Sequence, residues 1–354
     1  MKVVVIDGVR EESWDKMINE HPLGSVFQHS SFKKVIIHTF SHTKPYYIAL
    51  IDRKGDITAG IPLFLVRSRL TGNRLVSLPF VYYSDPLIRS KEEFDQLFTK
   101  VLEIYKREKA SYLEIKARNS TALLERVDSL VPVFHHKTHF LNLTRGLDGI
   151  WGSLHRTCIQ QKIRRAEKSG ITIRNAISEE DIVSFYRLLT KTRKRLGLPP
   201  NNCDYFKNIW KYLGLLKLTD FLIAEKGGEI IGGLNIFKFS NTIYLGHICS
   251  DARFRNSGID QFLIWKAIGV GVQGSYKVLD IGKTSAFSSG LATYKKRWGA
   301  IEQEAPSFYY PCQRGIALYN NEKRKSYKIM SFVWQNIPYR LSRIVGRFVY
   351  RHMG

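Results

Sequence analysis

The segment GDITAGIPLF at residues 55–64 has a near-copy, GEIIGGLNIF, at residues 228–237. Other elements return at one fixed interval. Leu113-Glu114-Ile115 is answered by Leu279-Asp280-Ile281, and Ser84-Asp85 by Ser250-Asp251, each 166 residues later. Leu97, Val101 and Leu102 meet Leu263, Ala267 and Ile268 at the same offset. Strand, helix and strand end in one register predict two copies of one fold in a single chain. The elements within a copy are mixed. Strands are expected at 2–6, 46–51, 57–67, 74–83 and 111–116, and helices near 11–19 and 91–109. The second of these helices carries Phe94, Leu97, Phe98, Val101, Leu102 and Tyr105, spaced by three and four so that one face is apolar. The fold class is α/β, an α+β mixed sheet in each of two tandem domains.

The 354 residues suffice for two domains of ordinary size, and 44% hydrophobic with 24% charged residues is a globular composition that excludes a largely disordered chain. No apolar run approaches the ~20 residues of a membrane-spanning helix. The opening MKVVVIDG reads as a strand rather than a secretory leader. Cys158, Cys203, Cys249 and Cys312 lie far apart without paired spacing, which argues against a disulfide framework or a zinc ribbon and for a reducing cytoplasm. The formal charge of +24, from 55 Lys+Arg against 31 Asp+Glu, selects for polyanionic partners: nucleic acid, anionic lipid headgroups or phosphate-bearing substrates.

The divisions expected are a first domain at 1–150, a second at 151–318 and a tail at 319–354. Residues 156–169, RTCIQQKIRRAEKS, read as a basic helix closed by Gly170. Ser178 with Asp181 forms a helix start, and that helix ends in Lys191, Arg193, Lys194 and Arg195 before Gly197 and Pro199-Pro200. Residues 321–354 hold eight Lys/Arg and a single acid, Glu322. After Pro338, Arg340, Arg343, Arg347 and Arg351 share one helical face, and Leu341, Ile344, Val345, Phe348 and Val349 the other. Such a helix suits either an anionic membrane surface or the protein's own body.

Several chemistries fail on spacing. GKT at 282–284 lacks the upstream glycine of a phosphate-binding loop, since Lys277 stands there. His135, His136 and His139 lie in a strand-like stretch with no cysteine or carboxylate nearby, so no metal is expected. There is no G-x-S-x-G elbow. What remains is the stretch 242–270, where a strand ending in Cys249-Ser250-Asp251 leads through Arg255-x-x-Gly258 into a helix. Backbone N–H groups at such a helix start, approached across a glycine, form an anion site.

This layout resembles the R/Q-x-x-G-x-G/A pyrophosphate loop of GNAT acyltransferases, with Asp260 where the last small residue belongs. The order of motifs resembles the FemAB-type branch of that superfamily. The matching segments are LPFVYYSDPL (78–87), QQKIRRAEKSGI (160–171), FYRLLTKTRKRLGLPP (185–200), CSDARFRNSGIDQFLIWKAI (249–268), LDIGKTSAFSSGLATYKKRWGA (279–300) and FYY (308–310). Together they span roughly residues 10–312. The resemblance implies two tandem GNAT-like domains related by duplication. It also implies acyl or aminoacyl transfer onto an amine, commonly of a cell-envelope or exopolysaccharide precursor, with acyl-CoA or aminoacyl-tRNA as co-substrate and no tightly bound cofactor or metal. Carried over by motif, Tyr82, Tyr83 and Asp85 line an acceptor cleft, Arg164 and Arg165 face acceptor phosphates or sugars, and Arg255 and Gly258 hold the donor. Lys295 takes the place of a functional lysine that follows an aromatic residue, here Tyr294.

The residues themselves are compatible with these roles. A lysine can stabilise the oxyanion of acyl transfer, and a carboxylate can accept the amine's proton, for which Asp280 and Asp251 are the candidates. An Asp at a strand end also caps turns, a lysine in a KKR cluster is also a solvated cation, and the arginine pair also suits a solvated helix face. The expected protein is a cytoplasmic enzyme, drawn to the inner membrane surface by its charge, acting on an anionic lipid- or nucleotide-linked precursor. tRNA and the membrane, through 321–354, are further expected partners. The competing expectation is a duplicated scaffold without catalysis, a basic module for RNA or membrane.

Overall fold

The computed structural model describes residues 1–311, apart from Asp7 and residues 70–71, and residues 325–350, apart from 339–340, 342–344 and 347. They form two compact units. The first holds Met1–Lys137 with residues 304–311 and 348–350, and the second holds Thr138–Gln303 with the described part of residues 325–347.

Each unit is built on a seven-stranded sheet. The strands are Lys2–Val5 (β1), Thr43–Ile51 (β2), Ile57–Val66 (β3), Arg74–Val76 (β4), Tyr112–Lys116 (β5) and Val131–Val133 (β6). They continue with His136–Asn142 (β7), Thr172–Asn175 (β8), Thr219–Lys226 (β9), Glu229–Phe239 (β10) and Thr242–Ser250 (β11). Val278–Ser285 (β12), Ile301–Glu304 (β13) and Ser307–Tyr310 (β14) complete the set. The first sheet runs β1-β2-β3-β4-β5-β14-β6 and the second β8-β9-β10-β11-β12-β7-β13. They correspond place for place, and in both the pair at places four and five is parallel. The duplication expected from the repeat is therefore present as repeated topology.

The sixth place of each sheet is filled from the other half of the chain. β7 enters the second sheet beside β12, and β14 returns to lie between β5 and β6. The division expected at residue 150 thus falls inside a helix of the second unit, Gly146–Ser153, and β14, expected in the second domain, pairs Phe308 with Ile115 in the first. Alternating hydrophobicity marks a segment as a strand without naming the sheet it joins.

In the first unit the helices are Glu11–Glu20 (α1), Ser30–Thr39 (α2), Lys91–Arg107 (α3) and Thr121–Leu124 (α4). In the second they are Gly146–Ser153 (α5), Gln161–Lys168 (α6), Glu179–Arg195 (α7), Cys203–Gly214 (α8), Ile259–Gln273 (α9), Ser289–Lys296 (α10) and Lys325–Asn336 (α11). On one face of the second sheet, Ile150 of α5, Ile163 of α6 and Leu263 of α9 join Leu234, Ile236 and Ile243 in a core. On the other, Phe185 of α7 and Phe206 of α8 meet edge to face 5.5 Å apart. Full burial of such side chains stabilises by about 1.5–3 kcal/mol each. α7 begins as expected, with the Ser178 side chain accepting from the Asp181 N–H.

Two expectations change. The strand expected to run to residue 83 stops at Val76, because the carbonyls that follow turn inward to a buried lysine described below. In the tail, α11 lies against α7, where Gln335 Nε2 donates to the Arg195 carbonyl at 3.3 Å and Trp334 is buried. Leu341, Val345 and Phe348 are exposed, whereas Arg340, Arg343, Ile344, Arg347 and Arg351 lie outside the described residues. No helix among the described residues is long and apolar enough to cross a membrane.

Candidate functional site

The parallel pair β11/β12 is in register only from Thr242↔Val278 to Tyr244↔Asp280, although both strands run on for five or more residues. They diverge there, for two local reasons. On β12, Gly282 takes φ +80, a left-handed conformation that bends the strand away and that a glycine adopts without strain. On β11, Gly246 and His247 oppose the single residue Asn235 of β10, since Leu234 pairs with Ile248 and Ile236 with Leu245. This is a bulge, which interrupts the ladder and leaves an extra residue unpaired. A β-carbon on Gly246 would lie 2.6 Å from Asn235 Oδ1, so only glycine fits. Gly246, His247 and Ile248 are half-buried despite belonging to an interior strand, as the walls of an open fork must be.

Lys295 sits at the bend. Its side chain is buried, and Nζ donates to the carbonyls of Gly282 at 2.7 Å and Lys283 at 3.0 Å. The Gly282 N–H in turn donates to Asp280 Oδ1 at 2.7 Å. Burial pulls the Lys295 ammonium down to about 8, partly offset by the Asp280 charge. Two residues expected to act together thus hold the two peptide groups that flank Gly282, Asp280 the one before it and Lys295 the one after it. His139, fully buried on β7, joins them, with Nδ1 3.4 Å from Thr284 Oγ1 and Nε2 3.8 Å from a Glu302 oxygen. Burial first, and then the Lys295 charge, lower its basicity. No group of metal-ligating side chains is found among the described residues.

The other site residues are placed as follows. Asp251 caps the turn after β11, accepting from the Arg253 N–H at 2.9 Å and pairing with the Arg253 guanidinium at 2.9 Å, which holds its carboxyl below the usual range. This engagement makes it a turn cap rather than a proton acceptor at the fork. Arg165 donates to the Asn256 carbonyl at 3.1 Å, while Arg164 stacks over Trp151 at 5.4 Å, so the pair divides between a loop and an indole. Gly258 begins α9 at φ +88, and a β-carbon there would run into the Lys162 carbonyl oxygen of α6. The glycine that would let a phosphate approach is thereby committed to helix packing. Arg255 is exposed at the end of the turn before α9.

In the first unit, Tyr82 is exposed. Tyr83 is buried, its hydroxyl accepting from Arg118 at 2.7 Å with the guanidinium 4.2 Å above its ring. Asp85 is 3% exposed, and its Oδ1 accepts from the N–H groups of Arg118, Asn119 and Ser120 at 2.8–3.0 Å and from the Ser120 hydroxyl at 2.7 Å. Asp85 therefore organises a turn, and of these three residues Tyr82 presents the open face.

Sequence reasoning passed over Lys116. It is buried, with Nζ donating to the carbonyl of Leu78 at 2.9 Å and lying 3.5 Å from that of Val81. Burial depresses its basicity. Its place follows the Val76↔Glu114 pair, where the first sheet would fork, and the side chain fills that space. The signal, a lysine ending the apolar run LEIK, is too common to be read. Asp260 was visible only as a departure from a motif; it is half-buried, hydrogen-bonded to Ser250, and raised by burial. Tyr294 is close enough to feel that charge, and burial chiefly lifts its hydroxyl to about 12.

A mixed sheet whose central parallel strands fork at a bulge, with a helix starting at the fork, defines a GNAT-type fold. The model of the GNAT acetyltransferase domain matches residues 153–296, and the chain carries such a domain there. Over 92% of its length the chain has the tandem fold of FemX, all of which is covered, at 16% identity and a TM-score of 0.73. It is also similar to the C-terminal domain of a putative lysylphosphatidylglycerol synthetase from Agrobacterium fabrum, with 12% identity, TM-score 0.57, and coverage of 89% of this chain and 96% of that one. A tandem GNAT protein from the clavulanic acid biosynthesis pathway aligns at 10% identity and TM-score 0.55, over 87% of this chain and 97% of that one. No curated protein sequence matches the chain.

Proposed function

We infer that the protein is an acyltransferase that moves an acyl or aminoacyl group from an activated donor to an amine, with the fork of the second unit as its reaction site. The observation that carries this reading is Lys295. Its ammonium has three N–H donors, two of which hold the bent strand, leaving one for a substrate oxygen. The acceptor nitrogen attacks the donor carbonyl, a C–N bond forms, and the oxyanion is held by that remaining N–H and by backbone N–H groups of the bulge. Asp280 takes the proton from the attacking nitrogen. Collapse breaks the C–S or C–O bond to the donor, whose leaving atom takes up a proton. No covalent enzyme intermediate is needed.

The name of the lysylphosphatidylglycerol synthetase, the FemAB-type motifs of the sequence and the +24 charge support an anionic cell-envelope precursor as acceptor and an aminoacyl group as one candidate cargo. The basic face of α6 is the surface we assign to that acceptor. The exposed apolar residues of the tail support attachment to the inner membrane surface. Purified protein given labelled acetyl-CoA or charged tRNA, with amino-sugar and peptide acceptors, is expected to transfer label. Lys295→Met and Asp280→Asn are each expected to lower the rate by about 100-fold or more with the fold intact by circular dichroism. Unchanged rates in both folded variants would remove these residues from the reaction.

A further inference from the structure

The second half of α9 carries two glycines, and packing explains one of them. A β-carbon on Gly271 would lie 2.6 Å from Leu143 Cδ1, which leaves no room for a larger residue. A β-carbon on Gly269 would meet nothing within 4 Å. Glycine inside a helix is destabilising relative to alanine, and no close neighbour requires it here. What Gly269 leaves is open space. It lines a cavity of about 350 Å³ between α9, α5 and the β8 edge of the second sheet, a size ordinary for small-molecule sites.

The walls are largely apolar: Leu147 of α5, Ile173 of β8, Leu222 of β9, and Trp265 and Val270 of α9. Trp265, Gly269 and Gln273 follow one another at intervals of four, so they line the cavity along about 12 Å of helix. A space that long for its volume fits a chain better than a fused ring. Two cations border it. Arg174 has every N–H engaged, with Asp181, Glu225 and the Asn175 carbonyl, and brings no free donor. Lys266 has no carboxylate partner among the described residues; its ammonium lies 5.3 Å over the Phe262 ring.

The first unit offers the comparison. In the register that sets Leu97 against Leu263, Lys266 stands at the place of Lys100 and Gly269 at the place of Glu103. In α3 that lysine and that glutamate form an ion pair. Ile104, at the place of the half-buried Val270, is fully buried. In α9 the lysine is kept, its carboxylate is absent, and the space beside it is open.

We propose that this cavity binds a straight-chain carboxylate, its chain laid along α9 and its carboxylate paired with Lys266 as Glu103 is paired with Lys100. Burial of the chain supplies the affinity, and the ammonium selects the sign of the head group. The site is in the second half of α9, whereas the fork is at its start, so binding here stands apart from the transfer reaction proposed above.

Calorimetric titration of the full-length protein with octanoate, n-octylammonium and 2-naphthoate tests this. The wild type is expected to take up one octanoate with a Kd at or below about 1 mM. It is expected to bind octylammonium about fivefold or more weakly, the size of an exposed ion pair. Gly269→Leu fills the cavity with a better helix former, and is expected to keep or raise the melting temperature while weakening octanoate about tenfold or more. Lys266→Gln is expected to bind octanoate about fivefold more weakly and to lose the preference over octylammonium. No saturable octanoate binding at millimolar concentration, equal affinity in Gly269→Leu, or a preference over octylammonium that survives in Lys266→Gln would overturn the proposal. Tighter binding of 2-naphthoate than of octanoate would overturn the assignment of a chain.

Discussion

At the scale of single residues, the charges that matter are the ones the fold has taken out of water. Lys295 works as a donor only while protonated, and burial has brought that proton within range of ordinary buffers. The rate is expected to be flat below neutrality and to fall as pH rises through about 8, where the ammonium is lost. A pH–rate profile checks this, and a rate that instead climbs through the same range would make Lys295 a base. Asp85 makes the opposite case. It holds four donors of one turn, so Asp85→Ala is expected to cost about 3 kcal/mol of stability, read as a shift of the urea midpoint. A substrate-lining residue would leave that midpoint in place. Lys295 and Asp280 could be picked out because an aromatic-lysine pair and a carboxylate in an apolar run are recognisable in order, but the expected strand end at Asp280 is the third residue of β12, which runs on to Ser285. Asp251 was legible as a polar residue at a strand end and Asp85 as one in a loop beyond β4, but sequence does not say whether such a carboxylate faces substrate or its own backbone. That depends on which N–H groups the following turn points at it.

At the scale of elements, the start of α9 decides what the fork can accept. R-x-x-G reads as an anion loop, and the helix and its left-handed glycine are where that reading puts them. The contact from α6 across 96 residues of chain (from Lys162 to Gly258) is a tertiary fact no local pattern contains. Gly258→Ala meets both a strained φ and the Lys162 carbonyl, and is expected to cost about 2–3 kcal/mol and loosen α6 from α9. Faster amide exchange in α6 than in α7 of that variant is the readout; uniform exchange would mean the helices are not coupled at this point. The repeat in β3, α3 and β5 against β10, α9 and β12 could be read because these elements bury one face each and so keep their apolar spacing. β4 could not be measured from its sequence, since Lys116, an otherwise ordinary lysine, ends it early by drawing in the Leu78 carbonyl.

At the scale of the molecule, duplication and strand exchange act together. Each sheet takes its sixth strand from the other half of the sequence, so a cut at residue 150 leaves residues 1–150 without β14 and residues 151–354 without β7. Neither fragment is expected to fold alone, while the two expressed together are expected to give soluble, native-like protein. A cooperative melt from either single fragment would contradict the exchange. The most direct test of the whole reading is a crystal structure of the protein with an uncleavable donor analogue bound, 3′-deoxy-3′-(L-alanylamino)adenosine or a non-hydrolysable acyl-CoA. The expected result is the analogue's carbonyl between Gly246–Ile248 of β11 and the bend at Gly282, with Lys295 Nζ in hydrogen-bond reach. A ligand seated elsewhere, with the fork closed and Lys295 out of its reach, would contradict it.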